Sequence, residues 1–120
     1  MMASPSTTPP PELASARLVG GVEAAFRDAL TDSFEHLELS DRNLLRFHYA
    51  RGLPVEQLAR LFCSQPGAVS RQLARLRERL LRDTRRGLAA RLALGPPELD
   101  RLIELARGRF DLALARILRA

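Results

Sequence analysis

The 120-residue sequence has no lysine, no tryptophan and a single cysteine, and aromatic residues make up only 5% of it. The lone cysteine, Cys63, excludes an internal disulfide framework and a cysteine-rich zinc site. No apolar run approaches the roughly 20 residues that a membrane-spanning helix needs. The start, MMASPSTTPPP, lacks the basic and apolar regions of a secretory signal. We therefore expect no membrane partner and a cytoplasmic location.

Catalytic and cofactor-binding signatures are also missing. The chain has no Gly-rich phosphate loop, no nucleophile elbow and no catalytic arrangement of serine, histidine and carboxylate. Its two histidines, His36 and His48, are 12 residues apart and lack the spacing of metal ligands. We therefore expect no enzymatic activity, no cofactor and no metal site.

The chain is rich in leucine. It contains 23 leucines, and apolar residues make up 46% of the chain against 28% charged residues. This composition favours a helical core packed from Leu and Ala over a β-sandwich, and apolar residues recur at three-and-four spacing along most of the chain. We predict an all-α fold, a small helical bundle with a C-terminal helical extension.

The N-terminal half divides into a tail and a series of helices. Residues 1–11 are rich in Ser, Thr and Pro, cannot bury enough surface to fold, and are predicted to be a disordered tail. Helical spacing begins at Glu12, with a break predicted at Gly20-Gly21 before a longer amphipathic helix. Ser40 is the predicted N-cap of the next helix, which Gly52 closes in the left-handed conformation.

Prolines and glycines mark where the helices of the C-terminal half begin and end. Pro54 starts a short helix, and Pro66 starts a long one that runs to about residue 92 with Gly87 as a weak point. Gly95-Pro96-Pro97 ends this domain, residues 12–92, and precedes an amphipathic helix over 97–120 with a potential bend at Gly108. The helices at about 54–80, joined by a short turn, match the pattern of a DNA-binding helix-turn-helix.

The positive charge is concentrated on the second of these two helices. The chain has 19 arginines and 14 acidic residues, but residues 60–92 hold nine arginines against two acids. Codon bias is one explanation of arginine in place of lysine, and an anionic partner is the other, but codon bias does not explain this concentration. A solvated face normally mixes charge signs, so the segment favours nucleic-acid binding. At about 100° per residue, one side carries Val69, Leu73, Leu76 and Leu80, and the opposite side carries Arg71, Arg75, Arg79, Arg82 and Arg86.

Three stretches of the sequence carry a family resemblance: L-S-x-R-x-L-L-R at 39–46, G-L-P-V-E-Q-L-A at 52–59 and G-A-V-S-R-Q-L-A-R-L-R at 67–77. They resemble region 4 of the sigma-70 family of bacterial RNA polymerase sigma factors, in the extracytoplasmic-function group. P-E-L-D-R-L at 97–102 and R-F-D-L-A-L-A-R-I-L at 109–118 are similar to the carboxyl extension of one subgroup. The resemblance covers about residues 22–120.

The resemblance implies a protein that reads a promoter −35 element in the major groove and docks on RNA polymerase. The implied partners are double-stranded DNA, the RNA polymerase core and an anti-sigma factor. Arg71 and Arg75 lead the candidates for guanine or phosphate contacts because they also open the arginine stripe, and Ala74 suits only a thymine methyl. The positions that match the family motif are Gln65, Pro66, Ser70, Arg71, Ala74, Arg75 and Arg77, and the stripe adds Arg79 and Arg82.

The sequence also departs from the family pattern. Cys63 stands where the family usually has glycine, Gln65 replaces a small N-cap residue, and nothing resembles region 2, which melts the promoter. We therefore expect that this chain alone does not open a promoter. The altered turn and the Leu-rich face of residues 97–118 favour an alternative, a degenerate region-4 module that binds RNA polymerase, a sigma factor or an anti-sigma factor instead of DNA.

Overall fold

The computed structural model describes the backbone of residues 11–119 and the side chains of residues 21–119. The described chain is all-helical, without a strand, as the sequence predicts. The tail predicted over 1–11 lies outside the described residues, apart from Pro11, which begins the first helix. The helices are α1 (Pro11–Glu35), α2 (Leu39–Leu45, followed by the π-helical segment Arg46–Ala50), α3 (Val55–Leu61), α4 (Pro66–Arg91), α5 (Pro96–Arg107) and α6 (Phe110–Arg119).

Helix α4 is the element around which the others are arranged. It packs against α1, α2, α3 and α5, while α6 packs against the π-helical segment and α1. The apolar side predicted for α4 is confirmed, since Val69, Leu73, Leu76 and Leu80 are all buried. In the second half of α4 the buried side widens to include Leu81, Thr84 and Leu88.

The break predicted at Gly20-Gly21 is wrong, because α1 is continuous from Pro11 to Glu35. A glycine inside a helix costs only about 1 kcal/mol relative to alanine. The apolar face that follows, with Ala29, Leu30 and Phe34 all buried, more than offsets that cost when it packs. Burial against other helices therefore overrides the local signal of the two glycines.

The boundaries of α2 are partly as predicted. Ser40 is not the N-cap: α2 begins at Leu39, two residues earlier than predicted, with Glu38 as an N-cap that makes no side-chain hydrogen bond. The other end agrees with the sequence, since Gly52 has a φ of +69° in the left-handed region. Cβ built on Gly52 would meet nothing within 4 Å, so the backbone conformation alone favours glycine there.

Gly87 does not weaken α4, which continues through it to Arg91. A Cβ built on Gly87 would lie 2.8 Å from Cβ of Ala29 and 3.5 Å from its Cα. The backbones of α1 and α4 thus approach each other closely at this point. Gly87, which the sequence marks as a weak point of the helix, is the position where α4 packs closely against α1.

The chain after Gly95-Pro96-Pro97 forms two helices rather than the single helix predicted over 97–120. Helix α5 ends at Arg107 and α6 begins at Phe110, with Gly108 and Arg109 in a turn between them. The separation lets α6 bury Phe110 and Leu114, which are 1% and 0% exposed. The potential bend at Gly108 is thus a full interruption of the helix.

Candidate nucleic-acid interface

A four-residue turn, 62–65, joins α3 to α4 and fixes where α4 begins. The backbone N–H of Ser64 donates to the carbonyl of Ala59 at 2.8 Å, and that of Cys63 donates to Arg60 at 3.4 Å. This pair of bonds is the Schellman motif, which usually has glycine at the left-handed position. Here that position is Cys63, with a φ of +53°. The turn therefore keeps the geometry that glycine favours while carrying an exposed thiol.

The first turns of α4 are open to solvent. Gln65 is the N-cap, with an extended backbone and no side-chain hydrogen bond to the helix, and Pro66 occupies the first turn. Both are exposed, as are Ser70 and Ala74 on the following turns. The end of α4 thus presents its N-terminal partial positive charge and small side chains at the surface.

Arg71 and Arg75 lie on the exposed side of α4, opposite the buried Leu73 and Leu76. Neither guanidinium forms an ion pair with any carboxylate among the side chains that the structure describes. Both arginine charges therefore lie on the solvent side of the helix without a direct ion pair to a described carboxylate.

Gln72 links Arg75 to α2. Its Nε2 donates to Oδ1 of Asp41 at 2.9 Å, and its Oε1 accepts from Nε and Nη2 of Arg75 at 3.2 and 2.8 Å. Neither Gln72 nor Asp41 is among the site residues that the sequence predicts. The spacing of Gln72 and Arg75 on one helix was visible, but the approach of Asp41, 31 residues away, depends on the packing of α2 against α4.

The rest of the predicted arginine stripe is partly neutralised. Nε of Arg79 lies 3.8 Å from Oδ2 of Asp83, and Nη1 of Arg86 lies 3.5 Å from Oδ1 of the same carboxylate. Arg82 is exposed and forms no ion pair with a described carboxylate. Of the stripe beyond Arg75, Arg82 alone thus combines exposure with the absence of an ion pair among the described side chains.

Arg77, which the family motif implies as a DNA-facing position, lies outside the exposed stripe and is half-buried. At about 80° from Val69 around the helix, it points towards the packed side of α4. Its Nη2 donates to Tyr49 Oη and to Asp111 Oδ1, both at 3.0 Å, and Tyr49 Oη donates to Asp111 Oδ1 at 2.9 Å. We call Tyr49, Arg77 and Asp111 the internal triad.

The internal triad shifts the acidity of its members. Burial raises the pKa of Tyr49 above its ordinary value of 10.0; Asp111 adds to this shift and Arg77 opposes it. Burial by itself would lower the pKa of Arg77, but its hydrogen bonds and charge interactions with Tyr49 and Asp111 raise it overall. Arg77 is therefore a fixed positive charge that ties α4 to the π-helical segment and to α6.

Other carboxylates hold the second half of α4. Nε of Arg85 lies 2.9 Å from Oδ1 of Asp100 on α5. Arg91 pairs with Asp32 on α1, and Glu78 on α4 pairs with Arg107 on α5. Together with the ion pairs of Arg77, Arg79 and Arg86, the contacts of Arg85 and Arg91 place a carboxylate beside five of the six arginines in this part of the helix.

A few large apolar side chains are also exposed. Leu61 and Phe62, at the end of α3, are 55% and 36% exposed, and Leu105 and Leu112 on the C-terminal helices are 71% and 65% exposed. Most of the apolar face predicted over 97–118 is covered within the chain, since Leu99, Ile103, Phe110 and Leu114 are buried. Leu105 and Leu112 are the large apolar side chains of that face that stay exposed among the described residues.

The described residues contain no group of three or more His, Cys, Asp and Glu side chains arranged to hold a metal ion. No helix within residues 11–119 has both the length and the apolarity that a membrane crossing requires. Comparisons of the chain with protein-family models, with curated proteins and with solved structures find no match.

Proposed function

We propose that this chain is a DNA-binding protein of transcription, in which α3, the turn and α4 act as a helix-turn-helix that reads double-stranded DNA. The first turns of α4 enter the major groove, in the manner of sigma factor region 4 at a −35-type promoter element, and the domain docks on RNA polymerase. One observation carries the proposal: Arg71 and Arg75 are exposed at the open end of α4, without a described carboxylate partner.

The chemistry of these positions suits a groove. Arginine offers a planar fork of donors that matches guanine O6 and N7 or two phosphate oxygens. Ser70 and Ala74 are small, exposed and on neighbouring turns, so they let the helix approach base edges closely. We assign Arg79 and Arg82, further along the exposed side, to the phosphates that flank the groove, with Arg79 as the weaker contact because Asp83 lies beside it.

Fluorescence anisotropy with a labelled DNA duplex of randomised sequence, across a salt series, tests the proposal. Four arginine contacts to phosphate predict a slope of about −3 to −4 in log K against log salt. The double variant Arg71→Glu/Arg75→Glu should weaken binding by about 100-fold or more, because two attractive charges become repulsive.

The matched control is Arg101→Glu/Arg109→Glu. It changes the net charge by the same amount at two exposed arginines outside α4. The control should lose less than about fivefold, because its sites lie off the proposed interface. Equal losses in the two variants, or a flat salt dependence of the unmodified chain, would contradict DNA binding by this surface.

The alternative, a module that binds protein instead of DNA, rests on the exposed Leu105 and Leu112. Exposed leucines on neighbouring helices are a common feature of protein-binding surfaces. Under this reading, Arg71→Glu/Arg75→Glu should leave binding to RNA polymerase core unchanged, while Leu105→Ser/Leu112→Ser should abolish it. Both functions include contact with polymerase, so a co-sedimentation assay of the two variants with polymerase core is paired with DNA anisotropy of the unmodified chain. Polymerase binding without DNA binding would favour the alternative.

A further inference from the structure

We propose that Gln72 is a positioning residue for DNA recognition: held by Asp41, it orients the guanidinium of Arg75 so that the outer edge of that guanidinium faces a base or phosphate. The inference rests on the proposed function and adds to it a residue pair that makes no contact with DNA. It starts from the chain of hydrogen bonds from Asp41 through Gln72 to Arg75.

The chemistry of the three groups fixes the orientation of the Gln72 amide. An ionised carboxylate only accepts hydrogen bonds, and a guanidinium only donates them. The Nε2 group of Gln72 must therefore face Asp41, and its oxygen must face Arg75, as the distances of 2.9 Å to Oδ1 of Asp41 and 2.8 Å to Nη2 of Arg75 show. Glutamate at this position would repel Asp41, and lysine would repel Arg75.

The hydrogen bonds from Arg75 to Gln72 occupy only one edge of the guanidinium. Gln72 Oε1 occupies the edge of the guanidinium that carries Nε and Nη2. The end-on edge, formed by Nη1 and the other hydrogen of Nη2, has no hydrogen-bond partner among the side chains of residues 21–119. That edge provides the two parallel donors that a guanine or a phosphate accepts.

Holding the side chain in this geometry reduces the conformational entropy that Arg75 loses on binding. A free arginine side chain on a helix surface samples many rotamers, and fixing it is a large part of the cost of each contact. Asp41 lies on α2, which packs against α4, so the support for Gln72 comes from the body of the fold. Arg71, one residue before Gln72, makes no hydrogen bond to it among the described contacts and serves as the comparison.

A double-mutant cycle on the full chain tests the inference. The probe is a DNA duplex selected by the unmodified protein from a randomised pool. Gln72→Ala should weaken binding by about five- to tenfold and should have almost no further effect in an Arg75→Ala background. In an Arg71→Ala background, Gln72→Ala should keep its full effect. Equal effects in both backgrounds, or no effect in the unmodified background, would overturn the inference.

Asp41 supplies the control for charge. Asp41→Ala and Asp41→Asn remove the same negative charge, but asparagine keeps an acceptor oxygen for Gln72 Nε2. Asp41→Ala should bind the selected duplex about threefold more weakly than Asp41→Asn, and a melting curve of each variant should show that both stay folded. Identical affinities of the two variants would contradict the positioning role.

The same measurements separate this inference from the proposed function. If the unmodified chain binds no duplex at low salt, the proposed function fails and the inference fails with it. If the chain binds DNA with the expected salt dependence and Gln72 is not coupled to Arg75, the inference alone is overturned.

Discussion

The two halves of α4 carry the same kind of basic residue in different surroundings. Between Pro66 and Leu76, Arg71 and Arg75 stand in solvent with no ion pair to a described carboxylate. Between Arg77 and Arg91, α1, α5, α6 and α4 itself supply carboxylates to most of the arginines. The first half is free to contact a charged partner, and the second half cross-links the fold.

The difference follows from what packs beside each half. An exposed ion pair contributes only about 0–1 kcal/mol, so these pairs do not determine the fold. They do change which charges are available, because an arginine already beside a carboxylate attracts a phosphate less strongly. Counting arginines along the sequence therefore overstates the basic surface of this helix.

The largest expected effect is the loss of DNA affinity when arginines are removed from the first half of α4, compared with the same change in the second half. Arg71→Ala/Arg75→Ala should weaken DNA binding by about 30- to 100-fold and make the salt slope shallower by about 2, because two direct contacts are lost. Arg85→Ala/Arg91→Ala should change affinity by about threefold or less, because these arginines pair with Asp100 and Asp32. Anisotropy titrations of both variants measure this, and equal losses would contradict the division of the helix.

The close approach of α1 to the second half of α4 predicts a large loss of stability. Gly87→Ala should lower the free energy of unfolding by about 1–3 kcal/mol, because the new Cβ would overlap that of Ala29. Ala29→Gly in the same chain should restore part of the loss.

Gly21 provides the matched control for that substitution. A Cβ built on Gly21 meets nothing within 4 Å, so Gly21→Ala should stabilise the chain by about 0.5–1 kcal/mol through helix propensity alone. Chemical denaturation measures all three variants. If Gly87→Ala stabilised the protein as Gly21→Ala does, the helices would not be in contact at Gly87.

The internal triad predicts a dependence on alkaline pH. The unfolded chain releases the Tyr49 proton near the ordinary pKa of 10.0, whereas burial raises the pKa in the folded chain. The folded state therefore holds more protons just above pH 10.0, and the free energy of unfolding should fall as the pH rises there. Denaturation series at neutral and alkaline pH should show this loss in the unmodified chain and not in Tyr49→Phe.

Tyr49→Phe also removes the hydroxyl that Arg77 and Asp111 share, and should cost about 1 kcal/mol at neutral pH. Because Tyr49 is the single tyrosine in the chain, the ultraviolet absorbance of tyrosinate reports its titration directly. A midpoint at or below the ordinary pKa of 10.0 would contradict the buried environment.

The smallest expected effect concerns the turn that starts the first half of α4. Cys63→Gly should raise the free energy of unfolding by about 0.5–1 kcal/mol, because the left-handed φ strains any residue with a Cβ. Gly52→Ala should lower it by about 1 kcal/mol for the same reason, since its Cβ would meet nothing else. Thermal melts of the two variants that shift in the same direction would contradict this explanation.

Much of the fold follows from local signals in the sequence. The spacing of Val69, Leu73, Leu76 and Leu80 predicts the buried side of α4, and Pro66 predicts its start. The errors lie where packing overrides propensity, at Gly20-Gly21 within α1 and at Gly108 between α5 and α6. The interruption at Gly108 lets α6 bury Phe110 and Leu114, a gain that no local pattern reports.

The candidate site also has a part that the sequence predicts and a part that depends on how the helices pack. Periodicity and charge alone place Arg71 and Arg75 on the exposed side of α4. They also place Arg79 there, but they do not reveal its carboxylate neighbour Asp83. Gln72 was missed because its significance depends on Asp41, which only the packing of α2 brings into contact.

Local sequence patterns are thus enough to predict that the protein is helical, where α4 begins and which side of it is buried, because these depend on residues within a few turns of one another. Which arginines remain without an ion pair depends instead on how the helices pack. Arg77 meets Asp111 from 34 residues away and Arg91 meets Asp32 from 59 residues away. Ion pairs between distant residues form only after apolar burial has placed the helices side by side, so helical periodicity alone does not predict them.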